Sequence, residues 1–452
     1  MNRRKRSQIA LGGAIVLVAA TAVTSTPAAA DAGTAGGTAT TLDAAATAAL
    51  QAYDDQLAVV YGATKARGAL TLSKLTSAAA ASTSALASRT AQPIATAVRG
   101  GGDVVTGATV TSEVTGSTKS SSGTITVSVD MTTTLTIADD GSGNPDTSSW
   151  SDPHQITLAP SGESYGATSN VIIDAPPNTE DPGDDPTPGT PDLPGEPSIP
   201  GPVKTVPPQP TPLAAPKSLA GAGTTTTDTA TAQSVSDSAA SSTSAGASSA
   251  IKPSATKTLS TATAAATSGY PTETKISPTA FSKYALKWTS SPYNGNEKSD
   301  FNSTYPFYGN NCANFASQVL DAGGWFRTGG NSLQQNDNTK WTYNLAGYKG
   351  ATRTWYSAKY LNIFAYNTGT YGWLDNIWNA RTGDLLFVDW DPNGKADGSI
   401  DHVMVVSGVT SGGEPRISQK SNNRNNITLT TSIALAKQQG KTSITWYGLK
   451  HK

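Results

Sequence analysis

The chain has 452 residues, room for about two or three domains, and its charge is nearly balanced, 32 Lys and Arg against 33 Asp and Glu. A net charge of −1 gives no basic surface for nucleic acid or for an anionic membrane. Cys312 is the only cysteine, so no disulfide can form within one chain and the folded parts must rest on apolar cores.

Residues 1–30 read as a secretory signal peptide. Arg3, Arg4, Lys5 and Arg6 form a basic start, Ile9 to Val23 an apolar stretch, and Ala28-Ala29-Ala30 a small-residue cleavage site. The mature protein is therefore expected outside the cell, in the cell-wall zone, with no membrane contact after cleavage and as a monomer. Residues 31–174 predict a small α+β domain. Leu42, Ala46, Leu50, Tyr53, Leu57 and Tyr61 fall at three- and four-residue spacing, one apolar helical face, and an Ala-rich helix follows near 69–90. The period then changes: Ile125, Val127, Val129, Met131, Leu135 and Ile137 alternate as one face of a strand, and "HQITL" and "SNVIID" read as two more. His154 alternates with Ile156 and Leu158 and is read as a packed, structural histidine.

Residues 175–274 are Pro-rich and acidic, then Ala/Ser/Thr-rich, with almost no large apolar side chain to offset the entropy of ordering. They predict a long disordered linker, suited also to glycosylation. Residues 275–452 hold eight of the nine tryptophans and the cysteine, and this C-terminal domain is where chemistry is expected. In "NNCANFASQVLDAGGW", Phe315, Ala316, Val319 and Leu320 recur behind Cys312 at helical spacing, and Gly323-Gly324 ends the run. Asn310 or Asn311 is expected to cap this helix, with the sulfur at its positive end and first-turn N–H groups able to hold an oxyanion. Of the two histidines here, His402 opens the strand "HVMVVSGV", whereas His451 is penultimate and expected to fray. A thiol needs a base, and the base an orienting group. If Gly412-Gly413 makes a two-residue hairpin turn, Ser411 faces Glu414 and Asn423 comes opposite His402. A shift of one residue favours Asn422, so both are carried.

"YGNNCANFASQVLDAGGW", "TGDLLFVDWD", "DHVMVVSG" and "ISQKSNNRNNITL" together resemble the amidase domain of secreted bacterial proteins, a relative of the papain-like cysteine hydrolases that include the NlpC/P60 and CHAP domains. The resemblance implies a papain-like fold, a cysteine-bearing helix on an antiparallel sheet, with Cys312 as nucleophile, His402 as general base and an amide or peptide bond as substrate, such as one in peptidoglycan. Two positions depart from the family pattern. Asn311 stands where Asp is common, and Gln419-Lys420-Ser421 stands for Gln-His-Thr. Where that histidine serves in the triad, Lys420 would weaken or abolish activity, which keeps open the rival of an inactive cell-wall-binding module. A second rival, a surface stalk of the adhesin type, rests on the linker that would present one domain at a distance from the other. The N-terminal unit is similar, loosely, to the cystatin- or NTF2-like domain that often precedes this amidase domain.

No cofactor is required by this chemistry. Asp389, Asp391, Asn393 and Asp397 have spacing suggestive of a calcium loop, but Ile400 replaces the usual Glu at the twelfth position, and a polar hairpin loop is the favoured reading. Most tryptophans are expected in the core, with Trp325 or Trp341 the candidates for lining a substrate groove.

Overall fold

The structure is a computed structural model that describes residues 41–173, 270–271, 275–295, 297–346, 350–390 and 399–452. The signal peptide, and the linker apart from Tyr270 and Pro271, lie outside the described residues. The architecture is α+β, with one large antiparallel sheet and helices on its faces.

The N-terminal body opens with helix α1 (Ala44–Tyr61), started by Asp43, whose side chain accepts from the Ala46 amide, and stopped at Gly62. A short α2 (Lys65–Leu72) and a long α3 (Ser77–Gly100) follow, the latter capped by Thr76 and running through Pro93, further than the Ala-rich stretch suggests. Four antiparallel strands come next: β1 (Val105–Lys119), β2 (Ile125–Ile137), β3 (Thr147–Ser161) and β4 (Ser164–Ile172). The inward parity of β2 is the one read from the sequence, with Val127, Val129 and Leu135 fully buried against α1 and α3. His154 is buried on β3, its Nδ1 2.7 Å from Asn170 Oδ1, as a structural residue should be.

The C-terminal body comprises α4 (Pro278–Thr289), α5 (Cys312–Ala322), a single turn α6 (Arg353–Tyr356) and α7 (Ala358–Asn367). Strands β5 (Tyr371–Trp373), β6 (Leu385–Asp389), β7 (His402–Val409), β8 (Pro415–Gln419) and β9 (Arg424–Thr428) follow, then α8 (Leu429–Gln438) and β10 (Thr445–His451). In space the strands run β1-β2-β3-β9-β8-β7-β6-β10-β5, with β4 beside β3. The two bodies thus share one ten-stranded sheet, joined where Ser149 and Trp150 pair with Asn425 and Arg424. His451 is not frayed: it pairs with Tyr371, and its N–H donates to Asp384 at 2.8 Å.

Each face of the C-terminal strands feeds a different core. Leu386, Val388, Met404, Val406, Ile417 and Ile427 join the apolar cluster of the N-terminal body, together with Trp150 and Leu435. Leu385, Phe387, Val403 and Val405 face α5 and α7 in a second cluster built on aromatics. Trp325 and Trp341 belong to this second core, 2% and 0% exposed, with ring centroids 4.7 Å apart. Their indole N–H groups are spent on Thr370 and Ser317. Neither lines a groove; rings this large stabilise most when fully buried, on the order of 2–3 kcal/mol each.

Candidate active site

Cys312 is the first residue of α5, and α5 ends where Gly323-Gly324 stops it, as the spacing predicts. The thiol is buried in the same cluster as Ile400 and Val403, the apolar neighbours of His402. α5 packs against β7, whose first residue is His402, itself buried.

The capping expectation needs correction. Asn311 holds the N-cap position, but its side chain accepts no backbone N–H of the helix. Its Oδ1 instead accepts from the Asn314 side chain at 2.6 Å, while Asn314 donates to the Pro306 carbonyl and accepts from the Trp355 indole. Fully buried Asn311 so ties the helix start into the aromatic core, and its Nδ2 is left buried without a partner. Asn310 Oδ1 accepts from Ser421 at 3.2 Å.

The register of the β7–β8 hairpin also differs from the expected one. Thr410 pairs with Glu414 around a three-residue loop whose Gly413 has φ +88°, and a bulge between Val406 and Gly408 shifts the ladder again. Past Val405–Ser418, the ladder brings His402 level with Ser421, not Asn423. Moreover, "RISQKSNNRNNITL" is not one returning strand but two, β8 and β9, separated by a turn in which Ser421 (φ 57°) and Asn422 (φ 59°) take left-handed backbone. Asn423 leaves this turn with its Nδ2 donating to the Thr289 carbonyl at 2.8 Å. Asn422 gives the turn its carbonyl, which accepts from Gln419 Nε2 at 3.1 Å.

The side chain that faces the imidazole is Gln419, on the last position of β8. Its amide N–H groups go to the Ser421 and Asn422 carbonyls, which leaves Oε1 on the side of the ring; Gln419 Oε1 and His402 Nε2 are both buried and neither makes a hydrogen bond of good geometry. Ser421, two residues on, accepts the Asn311 N–H at 2.7 Å. One tight turn therefore touches the histidine at one end and the start of the cysteine helix at the other. Gln419 escaped the sequence reasoning because the register rested on a two-residue turn; its signal was its place in "ISQKS", two residues before the left-handed pair.

A second group missed from the sequence is Trp390, stacked on His402 at 5.2 Å and 23°, with the Lys441 ammonium 4.5 Å from its ring centre. Its signal was position: it follows β6, whose Val388 pairs with His402. Burial, with Lys441 and then Arg424 adding repulsion, pulls the imidazole down to about 3, and Gln419 works against them. His402 is thus neutral in the resting protein.

Lys420 points elsewhere. Its ammonium donates to the Tyr293 and Gly295 carbonyls and lies 4.8 Å over the Phe301 ring, and burial lowers its pKa to about 8. Of the calcium-loop residues only Asp389 is among the described ones; Asp391, Asn393 and Asp397 are outside them. Among the described residues no group of three or more His, Cys, Asp or Glu side chains converges as a metal site would need, and no helix is long and apolar enough to cross a membrane.

The family model described as "Putative amidase domain" matches residues 275–446. The C-terminal body is similar to that amidase family. The match covers α4 to the start of β10 and so includes Cys312, His402 and Gln419, but none of the N-terminal body. Neither the curated proteins nor the solved structures give a match to the chain.

Proposed function

We propose that this is an exported cysteine hydrolase that cleaves an amide or peptide bond by acyl transfer, with peptide in the cell wall as its substrate class. What carries the reading is the turn at 419–422, which joins the start of the Cys312 helix to His402. In the reaction, neutral His402 takes the Cys312 proton as sulfur attacks the amide carbonyl carbon. The thiolate formed offsets the two cations that weaken the ring as a base. Negative charge on the carbonyl oxygen is met by N–H groups at the start of α5. His402 then returns the proton to the leaving amine, the C–N bond breaks, and water attacks the thioester to release the acid and restore the thiol. Gln419 holds the ring by accepting its N–H. Export follows from the signal-like residues 1–30.

An inactive wall-binding module is the rival that one observation favours. Lys420 stands at the family's histidine position and is committed to backbone carbonyls. Incubation with purified peptidoglycan separates the two: release of new amines by wild type and not by Cys312→Ala supports hydrolysis, while tight binding with no release in either protein leaves the binding module.

A further inference from the structure

Arg424, the first residue of β9, is buried, and among the described residues its one ion-pair partner is Asp152 of the N-terminal body. Its Nη2 reaches Asp152 Oδ1 at 2.8 Å and its Nη1 the Ser151 carbonyl at 3.1 Å, both on β3 of the N-terminal body. The Ser151 N–H donates in turn to the Asn423 carbonyl at 3.0 Å, so β3 grips both residues that close the turn. Across the β8–β9 pair Arg424 stands opposite Gln419. Gln419 is the group that faces His402, and the turn it braces is the one that receives the Asn311 N–H. The same body reaches the loop beneath Lys420, where Asn294 donates to Thr132 on β2 at 3.1 Å. None of these N-terminal residues belongs to the stretch matched by the family.

We infer that the N-terminal body is a working part of the amidase site, in which Asp152 acts as a positioning residue: by holding Arg424 it fixes the turn that aims Gln419 at His402. The inference rests on the reading of Cys312 and His402 as the reacting pair. A buried guanidinium that loses its carboxylate is left uncompensated and relocates or draws in water, and here the relocation would be transmitted to residue 419 directly across the ladder. A second ion pair between the bodies supplies the control. Arg416 on β8 is equally buried against Asp103, yet it pairs with Thr428 at the far end of the hairpin from Gln419.

The test is the rate of Cys312 alkylation by iodoacetamide across pH in the full-length protein, in wild type, His402→Asn, Asp152→Asn and Asp103→Asn. The groups facing His402 are Lys441, Arg424, Gln419 and Trp390; those facing Asp152 are Arg424, Gln439, His154 and Tyr61. Asp152→Asn should slow labelling about tenfold and displace its pH midpoint. Asp103→Asn should lower thermal stability yet label within about twofold of wild type. A wild-type profile in Asp152→Asn, or the same loss in Asp103→Asn, overturns the positioning role while a slowed His402→Asn leaves the reacting pair standing. A wild-type rate in His402→Asn overturns that pair, and the inference with it. Should Asp152→Asn fail to fold, Arg424→Lys makes the same comparison, since it keeps the charge and loses the fork that reaches Asp152 and Ser151 together.

Discussion

Two buried residues, one in each body, titrate in opposite senses and pull the protein's response to mild acid in opposite directions. His402 is pulled down to about 3, chiefly by burial. The unfolded chain takes up a proton near pH 6.5 and the folded one does not, so this stability is present above that pH and is lost as pH falls toward 3. Asp54, buried on α1 and bound by the Ser112 N–H and hydroxyl, is pushed up to about 7, again by burial. It contributes the reverse: stability present near pH 4 and lost as pH rises toward 7. At pH 5 each effect is on the order of 2 kcal/mol, and they nearly offset. Between pH 4.5 and 6 this pair should therefore add little net slope to the wild-type melting temperature. Asp54→Asn should remove one arm and give a melting temperature that climbs with pH over that range, whereas His402→Gln should give one that declines. Thermal scans of the three proteins in matched buffers read this directly.

At the scale of elements, the decisive piece is the four-residue turn between β8 and β9. Gln419→Ala should slow His402-dependent alkylation of Cys312 about tenfold, because the ring loses its acceptor. Asn422→Gly should leave labelling within about twofold and hold or raise stability, since glycine accepts φ 59° more readily than asparagine does. Equal loss in both would mean that the turn's shape, and not Gln419, is what His402 needs. This turn was the part of the site least legible in the sequence. The helix at Cys312 could be read because its apolar period and its Gly323-Gly324 stop are local, and the strand at His402 because Val403, Met404, Val405 and Val406 form an unbroken apolar run. The turn carries no Gly or Pro between Gln419 and Arg424, and its left-handed residues are Ser and Asn, which read equally well as strand-end or loop. The bulge at Val406/Gly408 is equally silent, because it depends on pairing across two strands. β1 was missed for a similar reason: its Thr, Ser and Gly content hides an alternation that becomes visible only once Val110 and Ala108 meet α1.

For the whole molecule, the sequence reads as two domains held apart by about 100 residues, yet the described residues form one sheet and share a core. Composition reports that a linker need not fold, but not that the bodies it joins adhere. Their contact includes two buried ion pairs, the β3–β9 pairing and the C-terminus of α3, where a Cβ on Gly101 would overlap the Thr428 side chain. If a protease site is inserted within residues 175–269 and cut, the two fragments should co-elute as one species in size-exclusion chromatography. Gly101→Val, which forces the bodies apart at that contact, should let the cut fragments separate, and separation in the wild-type background would refute the shared core.

The position of β10 has a temporal consequence. It pairs with β6 on one side and β5 on the other, so residues 445–451 are inserted between strands made more than 50 residues earlier. A ribosome that has synthesised everything up to α8 has produced the cysteine, the histidine and the turn between them, but not the strand that joins β5 and α7 to the sheet. The nascent chain cannot close its second core until residues 445–451 emerge. Synthesis itself thereby delays closure of that core until residues 445–451 have been made.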